Sequence, residues 1–271
     1  MNILKLFLYI ISSLLMISCG LPDVTGVTLE LNQPYITRVI PGNNKITVEF
    51  EAQNNEAPFS GYNIYFGDST NPRKYRIYNQ QKALPTMTET KSAVTKKYSF
   101  TIETGAYFST NYTDIYTLKD YDLNNGIPVY IWVSAYQIAP QLESYYYYDN
   151  FVKMGTPRPE ALNQSISPNS KLSIEGRDLA TAVNKGGKLY FQNAGNGSMM
   201  VMSGNSLTDI VVPPESGYGK IDLEVKANRL YLIKITDNNN SYYGKIYVRS
   251  VSGTSAVVDY CRQTAPNILS Y

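Results

Sequence analysis

The 271-residue sequence contains no histidine. That absence excludes Ser-His-Asp and Cys-His nucleophile systems, His-ligated metal or haem, and an imidazole switch near neutral pH. Cysteine is nearly absent, with only Cys19 and Cys261, and tryptophan occurs once, at Trp132. Charge of one sign is also missing in bulk: 24 basic residues face 22 acidic ones, and no basic run exceeds two residues. Affinity for phosphate backbones rests on clustered Lys and Arg, so no nucleic acid is expected as a partner. What is plentiful is tyrosine, 25 residues of it, within a chain that is 43% hydrophobic. At roughly 150 residues per domain the length suits two ordinary globular cores.

Residues 1–18 carry one basic residue, Lys5, and an apolar stretch from Leu6 to Leu15 broken only by Ser12-Ser13. A bilayer-spanning helix needs ~20 apolar residues, so this reads as the h-region of a signal peptide, and export is expected. The next residues, Met16-Ile17-Ser18-Cys19-Gly20, resemble the lipobox of bacterial lipoproteins. The resemblance implies lipidation (palmitate) on Cys19 and a membrane partner reached through the lipid anchor. Because Gly20 rather than aspartate follows Cys19, it also implies the outer membrane, facing periplasm or cell surface. Two or more acyl chains suffice for stable anchoring where one is marginal. With Cys19 acylated, Cys261 has no intramolecular partner for a disulfide. It sits in Val257-Val258-Asp259-Tyr260-Cys261-Arg262, which alternates like a strand, and reads as a buried small hydrophobe. Residues 19–32, turn-rich and interrupted by proline, read as a tether.

Beyond the tether, strand signals dominate. Ile36 to Ile40 and Lys45 to Glu51 flank Pro41-Gly42-Asn43-Asn44, and further runs are Tyr62 to Phe66, Lys97 to Glu103 and Val129 to Gln137. Ser144 to Lys153 is expected as a Tyr-rich last strand. Over residues 33–157 the order Pro-Gly-Asn-Asn-Lys-Ile-Thr-Val-Glu-Phe, Ser-Gly-Tyr-Asn-Ile-Tyr, and Leu123-Asn124-Asn125-Gly126 leading to Tyr130-Ile131-Trp132-Val133-Ser134-Ala135-Tyr136 resembles a fibronectin type III domain. The resemblance implies an immunoglobulin-like β-sandwich, with Leu123 and Tyr130 as its tyrosine corner, and it implies a fold rather than an activity.

Thr156-Pro157-Arg158-Pro159 cannot continue a central strand and marks a boundary. In 158–271 the expected strands are Lys188 to Gln192, Ser198 to Met202, Ile210 to Val212, Gly219 to Lys226, Arg229 to Thr236, Tyr242 to Arg249 and Ser255 to Arg262. Ile221, Leu223 and Val225 are placed on one face, and so are Leu230 and Leu232 with Ile246 and Val248. The expected fold class is therefore all-β, two tandem antiparallel β-sandwich domains.

The constellations that could carry chemistry are weak ones. Asp120 to Gly126 has carboxylates at alternate positions, but its glycine falls one place late for a calcium loop and Ile131 stands where the bidentate glutamate belongs. Glu49 with Glu51, Asp120 with Asp122, and Asp222 with Glu224 are spaced by two, which on a strand makes them parallel neighbours and not a pair across a cleft. A carboxylate-dependent glycan hydrolase is therefore the rival reading. A haem or small-ligand carrier without His ligands is another, with Met199-Met200 and Met202 as its only Met cluster. No catalytic residue, metal site or cofactor is assigned.

The aromatic surplus points instead to contact. Tyr145-Tyr146-Tyr147-Tyr148, on a strand, alternates between two faces, and Trp132 and Tyr136 stand on the neighbouring one. Tyrosine and tryptophan supply rigid amphipathic contact area, so these six residues are the candidate surface for a protein or glycan ligand. The expected role is a lipid-anchored envelope or surface protein that binds or builds without catalysing.

Overall fold

The computed structural model describes residues 30–79, 84–109, 114–145 and 151–269. Cys19, Tyr146, Tyr147 and Tyr148 lie outside the described residues. The strands in chain order are β1 Tyr35–Gly42, β2 Lys45–Ala52, β3 Phe59–Gly67, β4 Tyr75–Tyr78, β5 Met87–Thr88, β6 Lys96–Ile102, β7 Tyr107–Ser109, β8 Ile115–Thr117, β9 Val129–Gln137, β10 Leu142–Glu143 and β11 Lys153–Gly155. They form a three-stranded sheet, β1-β2-β6, against a larger one ordered β10-β9-β3-β4-β7-β8, with β11 on β9 and β5 on β3. All pairings are antiparallel. Clean alternation explains β2: Ile46, Val48 and Phe50 turn inward, and Lys45, Thr47 and Glu49 turn out. The inward set meets Tyr62, Ile64, Ile131 and Val133 in one core.

The second half continues with β12 Glu160–Ile166, β13 Lys171–Ile174, β14 Arg177–Lys185, β15 Lys188–Asn193, β16 Gly197–Ser203, β17 Asp222–Glu224, β18 Arg229–Asp237, β19 Asn240–Ser252 and β20 Ser255–Arg262. A five-stranded sheet, β12-β20-β19-β18-β16, faces a four-stranded one, β13-β14-β15-β17. Phe191, Met199, Tyr231, Ile246 and Val258 fill the space between them. The protein is thus all-β, built of antiparallel sheets packed face to face. The described residues from Leu31 onward form one compact unit.

Several expectations are corrected. Ser144 and Tyr145 are not strand, and the last strand of the first half begins only at Lys153. Ile210 to Val212 is loop rather than strand. Leu230 and Leu232 do not share a face with Ile246 and Val248, because Leu232 stands opposite Lys245 and Tyr231 opposite Ile246. The five-stranded sheet is buried on both faces, so both alternating sets are apolar and the period alone cannot tell inside from outside. Ile221 is 71% exposed, while Leu223 and Val225 on its predicted face pack inward.

Candidate functional site

Two places gather polar side chains into buried, ordered arrangements, and both lie on the outer face of a sheet. The first is on the β3–β9 pair. Their inward residues alternate with Asn63, Tyr65, Trp132 and Ser134, which are equally buried. Tyr65 and Trp132 are cross-strand partners with ring centroids 5.0 Å apart. Arg73 lies over both, 4.5 Å from the Trp132 ring and 5.4 Å from that of Tyr65. Glu143 on β10 then holds the group together: Arg73 Nη2 reaches it at 3.2 Å, the Tyr65 hydroxyl donates at 2.6 Å, and the Asn63 amide donates as well. One row away Arg76 covers Tyr136 at 5.2 Å and Tyr78 at 4.8 Å, and donates to the Leu84 carbonyl at 3.0 Å. A guanidinium against a ring face is a favourable, specific contact. Arg73 is delivered by a turn that Asp68 ties, accepting from Thr70 and Asn71. Those bonds, the Thr70 hydroxyl first, hold the Asp68 carboxyl down at about 2.

This corrects the expected aromatic platform at two positions. Trp132 is 0% exposed and Tyr136 4%, so neither offers a ring to a partner. The physical reason is that arginines fold over them, which no pattern of apolar residues announces. Tyr145 is 67% exposed. Tyr130 faces out and its hydroxyl makes no hydrogen bond among the described residues, so the expected tyrosine-corner bond is not made there.

The second arrangement lies where the two halves meet. Lys245 on β19 is 0% exposed and donates from Nζ to the carbonyls of Leu207 and Ile210, pinning the 204–212 loop over the outer face of the five-stranded sheet. Burial lowers its pKa to about 7. Beneath the loop lie Leu230, Leu232, Tyr247 and Cys261, the last a buried free thiol as its strand pattern implied. The loop is fixed from the other half too, since Arg38 on β1 donates to the Thr208 carbonyl and pairs with Glu49 at 3.3 Å. Inside the loop, burial alone would raise the Asp209 carboxyl, but hydrogen bonds from Asn205 and Ser206 outweigh it and hold it below its ordinary value. Arg158, also buried, donates to the Pro41 carbonyl and meets Glu160 at 3.2 Å. Asn125 bonds Asn43 and Asn44, and Gly126 N–H donates to the Pro157 carbonyl at 2.7 Å. The segment considered as a calcium loop therefore ends in a clasp between the first hairpin and the Thr156-Pro157-Arg158-Pro159 connection.

Lys245 and Arg158 were missed from sequence, yet Lys245 carried a signal. It stands at alternate spacing between Tyr243 and Tyr247, while Ile246 and Val248 occupy the other face. A strand apolar on both sides buries whatever lysine it contains. Of the carboxylates spaced by two, four are engaged on sheet surfaces: Glu49 with Arg38 and Glu51 with Lys97, each at 3.3 Å, Glu224 with Lys188 at 3.0 Å and Lys226 at 3.4 Å, and Asp222 with Lys185. Asp120 and Asp122 stand on a short 3-10 helix, Asp120–Leu123, and not on a strand, and Asp122 accepts from Lys119 N–H at 2.7 Å. Among the described residues no three Cys, Asp or Glu gather as a metal-ion cluster.

No family model and no curated protein matches the sequence. Among solved structures the chain is similar to the crystal structure of a DUF4466 family protein from Parabacteroides merdae. The identity is 11%, over 86% of this chain and 98% of that one, with a TM-score of 0.37.

Proposed function

We propose that this chain is a lipid-anchored envelope or surface protein, held in the outer membrane through Cys19, whose β-sandwiches bind or build rather than catalyse. The observation that carries the reading is the state of the ionisable side chains. Of the carboxylate pairs that a hydrolase could use, Glu49 with Glu51 and Asp222 with Glu224 are tied into ion pairs with Arg38, Lys97, Lys185 and Lys188. Such pairs are structural and solvated, each worth ~0–1 kcal/mol at a surface. What the molecule presents outward is contact area, of which Tyr145 is one part. The sheet order supports the fibronectin type III-like reading of the first half, since β1, β2 and β6 face a sheet centred on β3 and β9. β4, β5 and the turn at Asp68 occupy the long stretch between Asp68 and Lys97.

The lipobox at Met16-Ile17-Ser18-Cys19 supports the anchor. Metabolic labelling with palmitate followed by membrane fractionation tests it. Cys19→Ala is expected to lose the label and to leave the membrane fraction, and label that persists in the variant would overturn the reading.

A further inference from the structure

The second sandwich is open along one side. β16 is the outermost strand of the five-stranded sheet and β17 of the four-stranded one. In an antiparallel strand, alternate residues send both N–H and C=O to the same side. Met199 shows which side is outward on β16: its N–H donates to the Lys220 carbonyl at 2.8 Å, and its carbonyl accepts from Lys220 N–H at 3.1 Å. The same period turns the N–H and C=O of Val201 and Ser203 outward, and no described residue pairs with them. The chain's own Lys220 thus covers the edge at Met199 and stops there.

The side chains tell the same story. Val201 stands opposite Tyr231, whose ring lies in the core, so Val201 is on the inward face with Met199. Met199 is fully buried, whereas Val201 is 44% exposed. Across the opening Leu223, opposite Phe191, also faces inward and is only partly covered. Between them runs a groove of about 380 Å³ whose lining includes Val201, Leu223, Tyr231, Glu224, Lys226 and Arg229. Lys226 is paired with Glu224. Arg229 donates to the Ser203 hydroxyl at 2.6 Å and has no carboxylate partner among the described residues.

We infer that this edge takes an extended acidic peptide segment as an added strand along Val201–Ser203, with an apolar side chain between Val201 and Leu223 and a carboxylate at Arg229. Strand addition supplies main-chain hydrogen bonds, and the groove supplies the side-chain preference. A second copy of the chain fits less well. Pairing β16 with itself about Val201 would set Ser203 of one copy against Met199 of the other, where Lys220 already sits. The inference rests on the binding reading above and names the kind of partner and the edge it uses.

Hydrogen-exchange mass spectrometry on the full chain tests it, with the synthetic peptide acetyl-Thr-Asp-Thr-Val-Thr-amide, whose Asp and Val share one face of a strand, and its counterpart with Lys in place of Asp as probes. The acidic peptide is expected to slow exchange in the 198–204 segment and to bind about threefold more tightly than the basic one, the scale of one exposed ion pair. Arg229→Glu is expected to reverse that order. Val201→Pro removes the outward N–H and is expected to abolish protection; should it fail to fold, the Arg229→Glu reversal decides alone. Equal binding of the two peptides would overturn the proposal, as would protection of 198–204 that rises with protein concentration without peptide, the mark of a second copy. Peptide protection confined to a different surface would sink this edge and leave the binding reading standing.

Discussion

At the scale of single residues, the chemistry turns on cations placed where apolar side chains would be expected. Lys245 is the clearest. Its ordinary pKa of 10.5 falls to about 7 because burial penalises the ammonium, a loss that the carbonyls of Leu207 and Ile210 do not recover. Asp209 and Glu160 favour the charge while Arg158 opposes it. Since the folded pKa is depressed, the unfolded chain binds more protons between pH 7 and 10.5, so stability rises with pH across that window and is lost as pH falls towards 7. Compared with Lys245→Met, the wild type should gain stability from pH 7 to pH 10, by at most ~1.4 kcal/mol per pH unit. Denaturant titrations of both proteins at several pH values check this, and a difference that stays flat would mean the lysine remains charged when folded. The burial of Lys245 was legible from its tyrosine neighbours. Arg73 over Trp132 was not, because Asn71-Pro72-Arg73 reads as an exposed turn and only the fold brings it across β3 and β9.

At the scale of elements, strands with one solvated face were read nearly to the residue. β2 and β6 fall where alternation places them. Strands buried on both faces were found, but their faces were not, as Leu230 and Leu232 show. Short or polar strands such as β12 and β13 escaped because their residues carry neither an apolar run nor a clean period. The doubly buried β9 makes a direct prediction, since Trp132 is the sole tryptophan. Wild-type emission should be blue-shifted and poorly quenched by iodide. Arg73→Ala should increase quenching, shift emission to the red and lower stability by about 1 kcal/mol, the range of a solvent-accessible cation–π contact. Unchanged quenching would show that Arg73 does not shield the ring. A second element-level constraint is close approach: a Cβ on Gly155 in β11 would lie 2.4 Å from Val39 Cγ1 on β1. Gly155→Ala is therefore expected to destabilise by about 1–3 kcal/mol through overpacking, measurable as a lowered midpoint with unchanged denaturant slope.

At the scale of the whole molecule, each hydrophobic cluster of the described residues stays within one half, and polar groups reach across between the halves. The segment Thr156 to Pro159 reads in sequence as a break, and its two prolines do follow the end of β11, yet its polar atoms bind both halves. Arg158 N–H donates to Gly42 at 3.0 Å, its guanidinium to Pro41, and Gln263 donates to the Thr156 carbonyl at 3.2 Å. Composition and periodicity describe each half alone and carry no information about such bonds, which join residues more than a hundred positions apart. The joint has a thermodynamic consequence. With it intact, the halves should unfold together in one calorimetric transition. Arg158→Ala leaves the Glu160 carboxylate mostly buried without its partner and removes the bond to Pro41, a change of the kind that costs about 3–5 kcal/mol. That loss falls on the contact between the halves, so the transition should move down in temperature and split in two. A variant that still melts as a single peak at the wild-type temperature would show that the buried arginine does not couple the two sandwiches.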